Sequence, residues 1–241
     1  NERESLLILT GYAQKYYSRI LIEEPRGQDI GLSYFKERGI RRDTIDKFQL
    51  GYSLDSRDAF SKEAAKNGYK KEFLIKTGLS IERGEQIYDR FWGRVMFPIH
   101  SLSGRVIGFG ARTLKSEEKT AKYLNSPESD IYHKSSSLYG IYFARQTMVK
   151  EDKCFLVEGY TDVLSFYQSG IENVVASSGT SLTEDQIRLI RRFTRNVTII
   201  YDGDQAGIKA SLRGIDLILE QGLHVRVVTL PEGEDPDSFA R

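Results

Sequence analysis

Five carboxylates in the last third of the chain carry its chemistry: Glu158, Asp202, Asp204, Asp235 and Asp237. Glu158 directly follows the apolar run 154–157 (CFLV), and Asp202 and Asp204 follow the run 197–201 (VTIIY). Asp235 and Asp237 come after the run 225–230 (VRVVTL) and a turn that contains Gly233. Acids converging on one rim repel one another and raise each other's pKa, so such a cluster costs stability unless cations sit among them. Hard divalent ions with oxygen ligands neutralise it best. Mg²⁺ is the first expectation, because it combines a few carboxylates with waters and substrate phosphates. The cluster contains no His and the chain has a single Cys, Cys154, which argues against zinc there. Asp202 and Asp204 stand two apart, so both would share one face if the chain were still extended. Gly203 between them permits a sharp turn. Ala206 and Gly207 keep the start of the next helix free of bulk, which would let a phosphate or metal approach its N-terminus.

The elements that must position these acids are legible as alternating strands and helices. Leu164 and Tyr167 precede Gly170. Ile187, Ile190 and Phe193 recur at helical spacing, as do Ile208, Leu212, Ile215 and Leu219. Continuous apolar runs between helices predict a parallel sheet buried on both faces. Each acid then lies at or beyond the carboxyl end of its strand, where open α/β sheets bind their ligands.

The totals bound the rest. With 241 residues, the chain can form one large or two modest domains, and 39% hydrophobic with 29% charged content is ordinary for a globular protein. No apolar run approaches the ~20 residues of a membrane span, and no signal peptide opens the chain, so a cytoplasmic protein without a membrane partner is expected. A lone Cys excludes an intramolecular disulfide and fits a reducing compartment. The first residue is Asn, which suggests a piece of a longer protein. Charge is unevenly shared. Residues 1–137 carry 24 Lys+Arg against 19 Asp+Glu, and residues 138–241 carry 11 against 15, so +5 and −4 sum to the net +1. A basic half joined to an acidic one suggests a polyanionic partner.

In the first half, helices are expected over residues 1–24, 28–38 and 43–50, with two more between 56 and 78 around Asn67-Gly68. Arg38, Arg41 and Arg42, taken alone, read as a solvated helix end. Residues 87–112 predict two strands about a tight turn at Gly104, with Arg90, Arg94, Arg105 and Arg112 on an outer cationic face. Phe91 and Trp92 could stack on bases, but core is the expected place for both. Residues 114–121 predict a polar loop, Asn125-Ser126-Pro127 a turn, and 138–150 a helix. The expected domains are 1–135 and 136–241.

These residues together resemble a known family. Glu158-Gly159-Tyr160-Thr161-Asp162, Asp202-Gly203-Asp204 and Asp235-Pro236-Asp237 resemble a TOPRIM domain, shared by bacterial primases, topoisomerases and some nucleases. An acidic pair alone would be weak, but a Glu followed 44 positions on by Asp-x-Asp, each closing a strand, is more specific. Tyr34-Phe35-Lys36-Glu37-Arg38-Gly39-Ile40, Arg90-Phe91, Arg94-Val95-Met96-Phe97-Pro98-Ile99, the Gly104–Arg112 block and Lys122-Tyr123-Leu124-Asn125-Ser126-Pro127-Glu128 resemble the catalytic core of DnaG-type bacterial primase. The resemblance covers nearly the whole chain.

It implies an α/β fold: a mixed α/β N-terminal subdomain with a β-hairpin, then a Rossmann-like TOPRIM domain on a parallel sheet. It implies a DNA-directed RNA polymerase that makes short RNA primers on single-stranded DNA from ribonucleoside triphosphates by nucleotidyl transfer. Glu158, Asp202 and Asp204 match metal-binding catalytic acids, for Mg²⁺ or Mn²⁺. Asp235 and Asp237 match acids of the same metal site, and Asp162 a further catalytic acid beside it. Arg38, Arg112, Lys122, Asn125 and Lys134 match a basic ridge for template and nucleotide phosphates, which replaces the solvated-end reading of Arg38. The family's zinc ribbon, its helicase-contacting domain and most of the helical subdomain after the TOPRIM sheet are absent from this sequence. A monomer at the replication fork in the bacterial nucleoid is implied. Two rivals stand: another TOPRIM enzyme, a nuclease or topoisomerase, and a non-catalytic single-stranded DNA-binding fragment. A simpler account of the acids is helix N-capping, open to Asp162 and Asp204. It leaves unexplained why three strand ends carry acids.

Overall fold

The computed structural model describes residues 1–115 and 120–241; of the polar loop expected over 114–121, residues 116–119 lie outside the described residues. The chain forms two compact units: residues 1–100 with 104–133, and residues 101–103 with 134–241.

The first unit is built on a long amphipathic helix, α1 (Glu2–Glu23). Asn1 caps it by accepting the Arg3 amide at 3.1 Å, and Glu2 and Glu4 in its first turn suit the positive end of the helix dipole. Leu6, Leu9, Ala13, Tyr17, Ile20 and Leu21 are buried along its inner stripe. A π-helical turn (Gly27–Leu32) runs straight into α2 (Ser33–Glu37), where one regular helix was expected. Then come α3 (Arg42–Phe48), β1 (Gly51–Ser53), α4 (Ala59–Lys66) and α5 (Lys71–Lys76). A hairpin of β2 (Ser80–Arg83) and β3 (Gln86–Asp89) precedes β4 (Arg94–His100), β5 (Val106–Thr113) and β6 (Tyr123–Asn125).

An antiparallel sheet of order β1-β4-β5-β6 forms the unit's centre. Its β4–β5 pair is the hairpin expected about Gly104, but two details differ. Residues 87–100 are not one strand: the chain turns at Arg90–Gly93, where Gly93 takes φ 70°. Arg94 does not face outward either. Every residue of β4 is buried because the sheet is covered on both faces, so alternation gives no exposed side. Strands β1 and β6 were not expected. Each is three residues long, too short for a periodic signal, and exists because β4 and β5 offer edges to pair with.

Asp89, at the end of β3, is a buried carboxyl with local work. It accepts the Phe60 and Ser61 amides at 2.8 Å each and so caps the first turn of α4 from another element. Burial pushes its pKa up to about 6, against the downward pull of those hydrogen bonds.

The second unit is the parallel α/β half that the acid spacing predicts. Its elements are α6 (Ile141–Glu151), β7 (Cys154–Val157), α7 (Tyr160–Gln168), β8 (Val174–Ala176), α8 (Glu184–Arg191), β9 (Asn196–Tyr201), α9 (Gln205–Glu220), β10 (His224–Thr229) and α10 (Pro236–Ala240). The sheet order is β10-β9-β7-β8, and all pairs are parallel. Met148, Leu156, Val175, Ile187, Ile199 and Ile218 meet in its core. The order reverses between β7 and β9, so their carboxyl ends flank the position where open α/β sheets part to admit ligands. Among the described residues no helix is long and apolar enough to cross a membrane.

Asp89 makes a pH prediction. Its folded pKa lies above the ordinary carboxyl value, so its proton favours the folded state: that contribution is complete below about pH 4 and is lost as pH rises through about 6. Urea unfolding of Asp89→Asn between pH 4 and 7 should show a flatter fall of stability with pH than the parent. Parallel profiles would mean that Asp89 does not titrate in this range.

Candidate functional site

At the reversal of strand order, the chain leaves β7 at Glu158 and β9 at Asp202. Both side chains are half-buried. The Glu158 pKa is raised by burial first, then by the charges of Asp202 and Asp204. That of Asp202 is raised by burial first, then by Asp235 and Asp204. Carboxylates from three separate strand-to-helix connections therefore share one electrostatic field. A cation entering it would be drawn by several charges at once.

The individual acids hold different posts. Asp204 is the N-cap of α9, its Oδ1 accepting the Gly207 amide at 2.7 Å. Asp235 is the N-cap of α10, its Oδ1 accepting the Ser238 amide at 2.7 Å. Capping therefore applies to both, and it coexists with the shared field, since a cap occupies one carboxylate oxygen. Asp162 is 8% exposed and joins two helix starts: Oδ2 accepts the Gly159 amide at 3.0 Å and Oδ1 the Asp237 amide at 3.1 Å. Burial, then Asp202, Asp235 and Asp237, push its pKa up to about 7, with the Gly159 bond pulling the other way. Asp237, 2% exposed, lies beneath the rim. Its Oδ1 accepts the Ser165 hydroxyl, and its Oδ2 pairs with Arg241 at 3.0 Å.

Two glycines set the spacing of the acid-bearing loops by close approach. A Cβ on Gly203 would stand 2.7 Å from the Pro231 carbonyl oxygen, and the Gly203 amide donates to the Glu234 carbonyl at 3.2 Å. The β9–α9 and β10–α10 connections thus touch backbone to backbone. A Cβ on Gly207 would stand 2.1 Å from the Asp202 carbonyl oxygen. The smallness at Gly207 therefore serves the chain's own Asp202.

Among the described residues, no three His, Cys, Asp or Glu side chains stand close enough to enclose an ion by themselves. The donor set is carboxylate oxygen, repulsive and partly desolvated. It fits a hard divalent cation that keeps waters and takes the rest of its ligands from a substrate.

Of the expected basic residues, Arg38, Arg112, Lys122 and Asn125 lie in the first unit and Lys134 in the second. The structure assembles two of them on a residue the sequence reading passed over, Tyr34. The Arg112 guanidinium lies 4.9 Å from the centre of that ring and Arg38 lies 5.1 Å from it. Arg112 also stands 5.9 Å from the ring of Tyr123, its cross-strand partner between β5 and β6. Burial pushes the Tyr34 phenol up to about 12, so it stays protonated. A cavity of about 600 Å³ opens here, lined by Tyr34, Arg112 and Lys122 among others. The signal was present: Tyr34 stands four residues before Arg38 on one helix face. Lys122 is exposed, Asn125 is half-buried in β6 with its carbonyl accepting Arg90 Nε at 3.4 Å, and Lys134 opens a 3₁₀ turn.

Residues 155–240 match the Toprim-like family, the class the parallel sheet and its acids define. Residues 16–145 match the DNA primase catalytic core, N-terminal domain. The DNA primase of Clostridium acetobutylicum is 42% identical over 229 residues, which is 95% of this chain and 37% of that protein. The DNA primase of Escherichia coli K12 is 40% identical over 245 residues, 100% of this chain and 42% of that protein. Among solved structures, the zinc-binding and RNA polymerase domains of the Aquifex aeolicus primase superpose with a TM-score of 0.91 at 38% identity, over 99% of this chain and 58% of that one. A DnaG primase catalytic domain bound to single-stranded DNA gives 0.90 at 40% identity, over 100% and 75%. The chain belongs to the DnaG-type DNA primase catalytic core family. It spans about two-fifths of the length of these curated relatives.

The Gly207 contact yields a test. Gly207→Ala must push the Asp202 carbonyl away, and it should destabilise the chain by about 1–3 kcal/mol in urea unfolding, as overpacking does. Ala206→Gly, one residue earlier, should not disturb Asp202. If Gly207→Ala unfolds like the parent, the close approach is not a constraint.

Proposed function

We propose that this chain is the nucleotidyl-transfer core of a primase, which extends RNA on a single-stranded DNA template from ribonucleoside triphosphates. The observation that carries the reading is the shared field of Glu158, Asp202 and Asp204 at the strand-order reversal, in a chain of the primase core family. Glu158, Asp202 and Asp204 would hold divalent metal, Mg²⁺ or Mn²⁺, with Asp235 contributing charge to the same rim. When bound, the metal would supply Lewis-acid stabilisation of the charge that builds on phosphoryl oxygens during transfer.

The chain's own residues do the rest. Asp204 and Asp235 fix the starts of α9 and α10, so the acid-bearing loops are held without the ion. Asp162 and Asp237 act by position: the first ties the start of α7 to that of α10, and the second anchors α10 on Ser165 and Arg241. In the first unit, Arg38, Arg112 and Lys122 attract phosphates, and Tyr34 holds two of these cations in place through its ring. Asn125 and Lys134 extend the polar contacts to template or nucleotide. The protein contributes orientation and electrostatics and needs no covalent nucleophile. Single-stranded DNA is named as bound to one solved relative, and the same partner is proposed here.

Asp202→Asn should lower metal-dependent extension of RNA on a single-stranded template by about 10²-fold or more, the scale of losing one charge-stabilising group. Manganese binding, read by electron paramagnetic resonance, should weaken with it, while affinity for a labelled oligonucleotide should hold. Arg112→Ala should do the reverse, weakening oligonucleotide binding and lowering its salt slope by about 0.7. Unchanged extension by Asp202→Asn would dispose of the metal assignment. Shortened or covalently trapped DNA in place of extension products would identify a nuclease or topoisomerase.

A further inference from the structure

A cavity of about 440 Å³ opens in the second unit between Glu158, the loop after β8 and the middle of α9. Alternation along the strands directs it. Leu156 and Ile199 pack into the core with Ile187 of α8 and Ile218 of α9, and two residues on from each come Glu158 and Tyr201, which both line the cavity. Leu182 and Leu217 supply apolar walls. Ser177 and Tyr201 supply hydroxyls. They are 6% and 5% exposed, and neither hydroxyl has a hydrogen-bond partner among the described residues. Burial, then the charge of Glu158, push the Tyr201 phenol far above its ordinary range, so it stays a donor. The turn that carries Ser177 is braced by the Thr180 hydroxyl, which donates to the Ser177 carbonyl at 3.1 Å. A polar group buried without a partner costs stability, and a ligand that supplies the partner recovers that cost. At the opening, Arg213 is exposed and forms no ion pair among the described residues.

A ligand for this cavity must meet apolar walls and buried hydroxyls together. A sugar does so, since its ring carbons suit the leucines and each of its hydroxyls can donate and accept. A phosphate would set charge against the apolar walls. A base must stay free to pair with the template. Glu158 belongs both to the acidic rim and to the cavity wall, so a nucleotide at the rim could turn its sugar inward while Arg213 meets a phosphate at the mouth. We propose that the cavity receives the ribose of a ribonucleoside triphosphate, and that Tyr201 and Ser177 bond its 2′-hydroxyl and so select ribonucleotides over deoxyribonucleotides. A deoxy analogue leaves both hydroxyls buried and unpaired, which is the strongest ground on which a site can reject a ligand. This inference rests on the reading of Glu158, Asp202 and Asp204 as the metal and nucleotide site, and it adds the sugar specificity of that site.

UTP and 2′-deoxyuridine triphosphate differ only in that hydroxyl, which makes the test direct. In an NMR titration of the chain with Mg²⁺ present, UTP should bind tighter by about 5- to 100-fold, the range for a hydrogen bond whose absence leaves a buried group unpaired. Tyr201→Phe should remove much of that preference by weakening UTP while leaving the deoxynucleotide as it was, and Ser177→Ala should act in the same direction. Circular dichroism of both variants reports whether they fold. Equal affinity of the parent for the two nucleotides, or variants that weaken both alike, would overturn the inference. Equal affinities that are both lost in Arg213→Ala would mark a phosphate pocket instead. No UTP binding by a parent that still takes manganese through Asp202 would overturn this inference and spare the proposed function. No binding of manganese, nucleotide or oligonucleotide would overturn both.

Discussion

Carboxylates repel, and the second unit is arranged so that they cannot escape one another. A parallel sheet with reversed strand order brings the carboxyl ends of β7 and β9 side by side, and each ends in an acid. Backbone contact at Gly203 then holds the β10–α10 connection, with Asp235, against the same rim. Hydrophobic burial in the sheet and helix starts capped by Asp204 and Asp235 oppose the repulsion. What remains is a rim on which burial and mutual repulsion raise the pKa values of Glu158 and Asp202.

The first unit solves a different problem with the opposite charge. Several of its guanidinium groups lie against neutral partners. Tyr34 takes two of them over its ring, so the cations are oriented by a neutral partner and keep their charge. Arg90 and Arg94 use backbone carbonyls for the same purpose. Surface arginines elsewhere, such as Arg42 with Asp46, pair with acids and are correspondingly quiet.

Much of this was legible in the sequence where the signal is periodic or local. Apolar runs ending in acids gave the parallel sheet and the rim, and Gly203 marked the bend. The cap at Asp204 follows from residue type and position; Asp162, open to the same reading, is instead the third residue of α7, and the cap at Asp235 was not foreseen. What escaped depended on pairing across sequence. Strands of three residues carry no period, so β1 and β6 are visible only once their partners exist. Arg94 reads as exposed by alternation and is buried because its sheet is covered on both faces. Tyr34 gains its importance from Arg112, distant in the chain. The close approach of Gly207 to the Asp202 backbone likewise shows only in the folded chain.

The bridge at Asp162 has a consequence for how mutational data on such a fold should be read. Both of its oxygens face backbone amide donors, on Gly159 and Asp237. An asparagine there would turn an NH₂ group toward one of them, and the isosteric swap would set donor against donor. The position therefore favours a carboxyl for reasons of geometry, and loss of product on substitution there would include the cost of separating two helix starts.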